Sequence, residues 1–206
     1  GAESAEVVDD PLQAGEIPTS GGGFPVKVTE RPSPDGLGFK EAGEDIFAYL
    51  EKHQGEAHNQ EMMRLKTLRN IKSYLVSIVS SVPYQGKIFV QGRNALDGSI
   101  VAATEDELTI KPDAADQTLA LSWQQFDVKQ FVSMFEYYIN LRSEQLGEGL
   151  ADSTVQRDLA ADYFRLALLC DWYKMPAESE RFAALSLQND SQLKRQVMAL
   201  LPSISE

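Results

Sequence analysis

Between Lys87 and Trp123 the apolar positions fall into four short runs: Ile88 and Val90 flanking Phe89, Ile100 with Ala102, Leu108 with Ile110, and Leu119 with Leu121 and Trp123. Each is compatible with a period of two, so each predicts a strand with one buried face. Asp97-Gly98 tolerates the positive φ of a tight turn and is expected to join the first two runs. The charged run Glu105, Asp106, Glu107 and the segment Asp113 to Gln117 are expected to make the next two turns, with Pro112 closing the third strand because proline cannot donate to a ladder. The pattern predicts an antiparallel meander.

On either side the apolar period changes to that of a helix. Phe39, Ala42, Ile46, Phe47 and Leu50 form one series, and Leu65, Leu68, Ile71, Leu75, Ile78 or Val79, and Val82 form a longer one that Pro83 stops. After Trp123, Asp127 is a candidate N-cap for a helix carrying Val128, Phe131, Val132, Phe135, Tyr138 and Ile139 on one face, ended by Gly147 and Gly149. A further helix after Asp152 or Ser153 places Val155, Leu159, Leu166, Leu169 and Cys170 inward. Pro176 suits the first turn of the next, with Glu178 and Glu180 near its positive end. Asp190 or Ser191 caps a last helix bearing Leu193, Val197, Leu200 and Leu201, which Pro202 ends.

Residues 1–36 are rich in Gly, Pro, Ser and acidic side chains and read as a leader or linker, within which Phe24, Val26 and Val28 alternate as a possible edge strand over 24–29. A four-stranded meander has two open edges, and this arm is expected to cover one. The expected organisation is therefore a leader or linker (1–36), a helical segment (37–83), a small β-barrel-like domain (84–124) and a helical repeat-like domain (125–206). The start at Gly1 reads as a processed product or a fragment of a longer chain, with a secreted or envelope location slightly favoured.

The central stretch, with its short strands, its Asp97-Gly98 turn and its Leu121–Trp123 ending, resembles a small SH3-like or Sm-like barrel. The segment AESERFAALSLQN, from Ala177 to Asn189, resembles the second helix of a tetratricopeptide repeat, which implies close helix packing at the small residues Ala177 and Ala184. That resemblance covers about one repeat length of roughly 34 residues, within the Asp152 to Leu201 segment. Together these give an α+β fold: a small antiparallel β-barrel or meander of four to five strands embedded between helical segments, with C-terminal helical hairpins.

Composition narrows the function classes. The chain has 206 residues and a formal charge of −12, which disfavours phosphate backbones and anionic lipid unless basic residues converge. Sm-like nucleic-acid binding would need Lys87, Arg93 and Lys111 to form a stripe on one barrel face. No apolar run approaches the roughly 20 residues of a membrane-spanning helix. The single Cys170 cannot form an intrachain disulfide and, following the apolar run Leu166 to Leu169, reads as a core residue.

His53 and His58 are five residues apart, which does not place both rings on one helical face, and with Glu51, Glu56 and Glu61 they read as a solvated helix. The carboxylates Glu105 to Glu107 read as a wet turn. Phosphate-loop, nucleophile-elbow and zinc-protease motifs are absent from the sequence. No catalytic, cofactor-binding or metal-binding residue is assigned, and no cofactor is implied. Aromatic side chains at helical spacing read as core, but Trp172 and Tyr173, in a turn before Met175 and Pro176, and Tyr137, next to Tyr138, are candidates for exposed partner contacts. The expected function is a non-enzymatic protein-binding or scaffold module with a protein partner. The alternative is a small-ligand binder or enzyme whose site assembles only in three dimensions.

Overall fold

A computed structural model describes residues 56–147 and 153–201. The expected edge strand at 24–29, the helix around 39–50 and the leader lie outside the described residues. The elements run α1 (Glu56–Ser81), β1 (Tyr84–Ile88), β2 (Leu96–Ala103), β3 (Glu107–Pro112), β4 (Leu119–Ser122), a 3-10 turn (Trp123–Gln125), α2 (Val128–Leu146), α3 (Ser153–Trp172), α4 (Pro176–Asn189), a second 3-10 turn (Ser191–Leu193) and α5 (Lys194–Leu200). The four strands form an antiparallel meander in sequence order, flanked by helices.

The sheet is open, which corrects the barrel resemblance. β1 and β4 are its two edges, and the chain segments following them meet only at one isolated bridge, Val90 to Phe126. Around that bridge Gln91 N donates to Gln125 O at 2.8 Å and Asp127 N donates to Phe89 O at 3.0 Å. One bridge ties the ends together without continuing the ladder around a closed wall.

The turn expected at Asp97-Gly98 lies elsewhere. Gln91 to Arg93 turn the chain, with Gly92 at φ 68°, while Asp97 and Gly98 sit inside β2 opposite Lys87 and Gly86. Gly98 is needed there for close approach: a Cβ at this position would lie 2.6 Å from Lys111 O and 3.0 Å from Pro112 Cα. Both are backbone atoms of β3, which cannot swing aside as a flexible side chain can. Gly98→Ala is therefore expected to cost about 1–3 kcal/mol by forcing β2 and β3 apart, read as a lowered urea midpoint with an unchanged slope.

The helices follow the apolar periodicity. Leu65, Leu68, Ile71, Leu75 and Val79 of α1 are buried, and α1 packs over β2. Asp127 caps α2, its Oδ1 accepting from Lys129 N at 2.9 Å, and Gly147 ends the helix at φ 48°. From α2, Gln130 Oε1 accepts the backbone N–H of Phe89 at 2.8 Å, and Tyr138 Oη donates to Val82 O at 2.8 Å, fixing the helix against both ends of β1. Trp123 belongs to the 3-10 turn rather than to a strand.

α3 and α4 form an antiparallel hairpin, but not through the positions that a tetratricopeptide repeat implies. Ala177 and Ala184 are exposed. The close contact uses Ser179 and Ser186, fully buried, whose hydroxyls donate to Ala167 O at 3.0 Å and Ala160 O at 2.9 Å. Serine and alanine at seven-residue spacing on facing helices let the backbones approach while the carbonyls satisfy the hydroxyls. The resemblance to a tetratricopeptide repeat is thus corrected to a single hairpin.

Candidate functional site

The register assigns each strand residue to one side of the sheet. Tyr84, Ile88, Ile100, Leu108 and Ile110 face the helices and are 0–4 % exposed. On the same side, β4 continues this apolar surface: Leu119 is opposite Ile110 and Leu121 opposite Leu108. There the cover runs out, for Leu121 is half-buried and Leu119 is 43 % exposed. A side chain with inward parity that remains exposed marks the place where the helical layer stops short of the sheet edge.

The other side of the sheet faces solvent. Gln85, Lys87, Asp97, Ala102, Lys111 and Ala120 are exposed there. At Val101, 36 % exposed, the β2–β3 register shifts, which bends the strand and leaves this residue without a partner across the ladder. Lys87 Nζ lies 2.7 Å from an Asp97 carboxylate oxygen, so the expected basic positions are interleaved with acid. The tips are acidic, with Glu105, Asp106 and Glu107 at one end of β4 and Asp113 and Asp116 at the other, all exposed. They form the wet turns that the sequence predicts.

The aromatic contacts expected from the sequence are placed differently. Trp172 and Tyr173 are 1 % and 4 % exposed, so the expectation that they form an exposed surface is corrected. After α3, Lys174 takes a left-handed conformation at φ 58°, and Met175 N donates back to Cys170 O at 2.8 Å, so the chain reverses sharply at the pair. The Trp172 ring is covered by Arg64 of α1, whose guanidinium carbon lies 5.5 Å from its centroid. Tyr137 is half-buried, edge-on to Tyr84 and Tyr138 at 5.1 Å in both cases. Tyr138 is the inward member of the adjacent tyrosines, at 3 % exposure.

Arg64 also anchors a charged cluster that the sequence did not suggest, and it corrects the solvated reading of Glu61, which is 1 % exposed. Its two terminal nitrogens donate to Glu61 Oε1 at 2.8 Å and Asp171 Oδ2 at 2.9 Å, joining α1 to the end of α3. Its trace in the sequence is that Glu61 and Arg64 share the stripe of Leu68, Ile71 and Leu75. A second cluster joins α2 to α3 through the buried Asp162, which accepts from Arg142 at 2.9 Å and Arg165 at 2.7 Å. Burial holds the Asp162 carboxyl above the usual range, with the two guanidiniums working against that shift.

His53 lies outside the described residues, as does the side chain of His58. Among the described residues no three His, Cys, Asp or Glu side chains come together as a metal site, and no helix is long and apolar enough to cross a membrane.

No family model, curated protein or solved structure matches the chain.

Cys170 is a core residue, fully buried, and burial pushes its thiol up from 9.0 to about 12. Burial likewise raises the Tyr74 hydroxyl from 10.0 to about 12. The folded chain therefore keeps these protons after the unfolded chain has lost them. Between about pH 9 and 12 the folded state binds more protons, so its stability falls as pH rises. Urea midpoints measured at increasing alkaline pH are expected to fall through this window, and Cys170→Ala is expected to flatten the lower part of the decline. A midpoint independent of alkaline pH would contradict the burial of both groups.

Proposed function

We propose that this protein is a non-enzymatic protein-binding module whose docking surface is the edge of β4, which no other described strand pairs, together with the exposed Leu119 beside it. The observation that supports this reading is the loss of cover across the inward side of the sheet, from Ile100 and Ile110, both buried at 0–1 % exposure, to Leu119 at 43 %. An edge strand presents unpaired N–H and C=O groups to any extended segment that lies beside it, and apolar side chains next to that edge supply burial. α1 packs on β2 and α2 on β1, so the β4 edge is presented on a fixed support.

The reading is tested by affinity capture from lysate and envelope fractions of the source cells, comparing the unaltered chain with Leu119→Lys. The substitution lies on an exposed side chain and adds an edge lysine, a device that opposes strand pairing. A protein retained by the unaltered chain and lost with Leu119→Lys, both folded by circular dichroism, is the expected result. Equal retention by both, or no specific protein at all, would overturn the reading.

A further inference from the structure

Resting on that reading, we infer that the partner of the β4 edge is an extended cationic segment of another protein, alternating apolar and basic residues, which adds to the sheet as a fifth strand. Main-chain hydrogen bonding supplies affinity in this mode and alternate side chains supply selectivity. β4 sets the selectivity on both counts. Leu119 and Leu121 point to the helical side and call for apolar residues above them, while Ala120 points to the solvent side beside Thr109.

The charges select the sign of the partner. From Thr104 to Ser122 the chain carries five acidic side chains and one basic, Lys111. Their placement follows the strand: Glu107 is opposite Ser122 at one end of β4, and Asp113 and Asp116 lie in the connection entering Leu119 at the other. Among the described residues only Glu105 of these five meets a lysine, Lys72 at 3.7 Å, and Glu105 is itself 66 % exposed. A strand lying along β4 has both its ends beside carboxylates, so basic residues near those ends gain and acidic ones are repelled.

The same charges oppose a second copy of this chain as the occupant. Pairing β4 with another β4 in either direction brings the acidic tips together, and two chains of formal charge −12 repel at longer range. An edge that is apolar on its inward side and acidic at both ends is thus guarded against itself and open to a segment of opposite sign.

The probe is a synthetic peptide alternating valine and lysine, flanked by proline to prevent self-association, with an alternating valine and glutamate peptide as the control. Each is added to the full chain, and amide hydrogen exchange at Leu119 to Ser122 is followed by NMR together with affinity by fluorescence anisotropy. The valine–lysine peptide is expected to slow exchange at the outward amide of Ala120, the Ser122 amide being held already by Gln125 Oε1 at 2.9 Å, and to bind roughly tenfold more weakly when salt shortens the Debye length from about 8 Å to about 3 Å. Asp113→Lys with Asp116→Lys, both on exposed loop positions, is expected to weaken it by a similar factor. Equal β4 protection by the valine–glutamate peptide would overturn the charge selection while leaving the docking edge standing. If neither peptide protects β4 but capture still yields a protein lost with Leu119→Lys, strand addition is overturned and the binding-module reading survives. Slow exchange of all β4 amides before any peptide is added would overturn the inference outright, since the edge would already be filled.

Discussion

Arg64→Met is expected to lower the unfolding free energy by about 3–5 kcal/mol, the range for removing one partner of a buried ion pair. The side chain is 2 % exposed and lies 2.8 Å from Glu61, which is 0 % exposed at its side chain, and 2.9 Å from Asp171, which is 11 % exposed. Replacing the guanidinium with an apolar chain of similar length keeps most of the volume. What is lost is the positive charge between two carboxylates that have been withdrawn from water. It also removes the cation from the face of Trp172. Arg64→Lys keeps the charge but cannot reach two carboxylates with one planar fork, so an intermediate loss is expected. Chemical denaturation of the three proteins checks this order, and a loss below about 1 kcal/mol for Arg64→Met would show that the cluster is more solvated than the structure indicates.

The second large effect is expected at Trp123. The side chain is 1 % exposed, its Nε1 donates to Thr104 O at 2.9 Å, and its ring stacks on Phe131 with centroids 5.5 Å apart and planes 18° from parallel. It joins the β2–β3 tip to α2 at the point where the chain leaves the sheet. Trp123→Ala is expected to cost about 3–5 kcal/mol through lost burial and the cavity left behind. Trp123→Phe keeps the stacking but leaves the Thr104 carbonyl without this donor, and it is expected to cost about 1–3 kcal/mol. Equal losses for the two variants would mean that the hydrogen bond, and not the ring, holds the corner.

Much of the frame was legible because it rests on local periodicity. The α1 stripe from Leu65 to Val79, the Asp127 cap and Pro176 in the first turn of α4 are each specified by residues within a few positions of one another. The count of four antiparallel strands was legible for the same reason, although β1 runs Tyr84–Ile88 and excludes Val90, and the register shift at Val101 turns Ala102 to the exposed side. The illegible parts depend on residues distant in the chain. Asp97-Gly98 looks like a turn because the dipeptide suits one, but here its glycine serves the close approach of Lys111 and Pro112. Whether a meander closes into a barrel depends on its first and last strands, and no local pattern in either reports that pairing. Trp172 and Tyr173 look exposed in a turn preceding proline, and Trp172 is covered by an arginine on α1, far earlier in the sequence.

The candidate docking site was half legible in the same sense. That a four-stranded meander leaves two edges follows from strand count alone. Which edge keeps an uncovered apolar residue does not, since Leu119 has the same parity and chemistry as Ile110 and differs only in where the helices end. The acidic residues beside it were visible as solvated turns, and the register is what places them at the two ends of one strand.

Per-residue amide hydrogen exchange of the full chain, free of any partner, reports directly whether the β4 edge is open. Strong protection is expected throughout the β2–β3 ladder and at Leu119 and Leu121, which pair with Ile110 and Leu108, with fast exchange at the outward amide of Ala120; the other outward amide, Ser122 N, is held by Gln125 Oε1 at 2.9 Å. Protection of every β4 amide to the level of β2 and β3 would contradict this, because the edge on which the proposed function depends would then be covered.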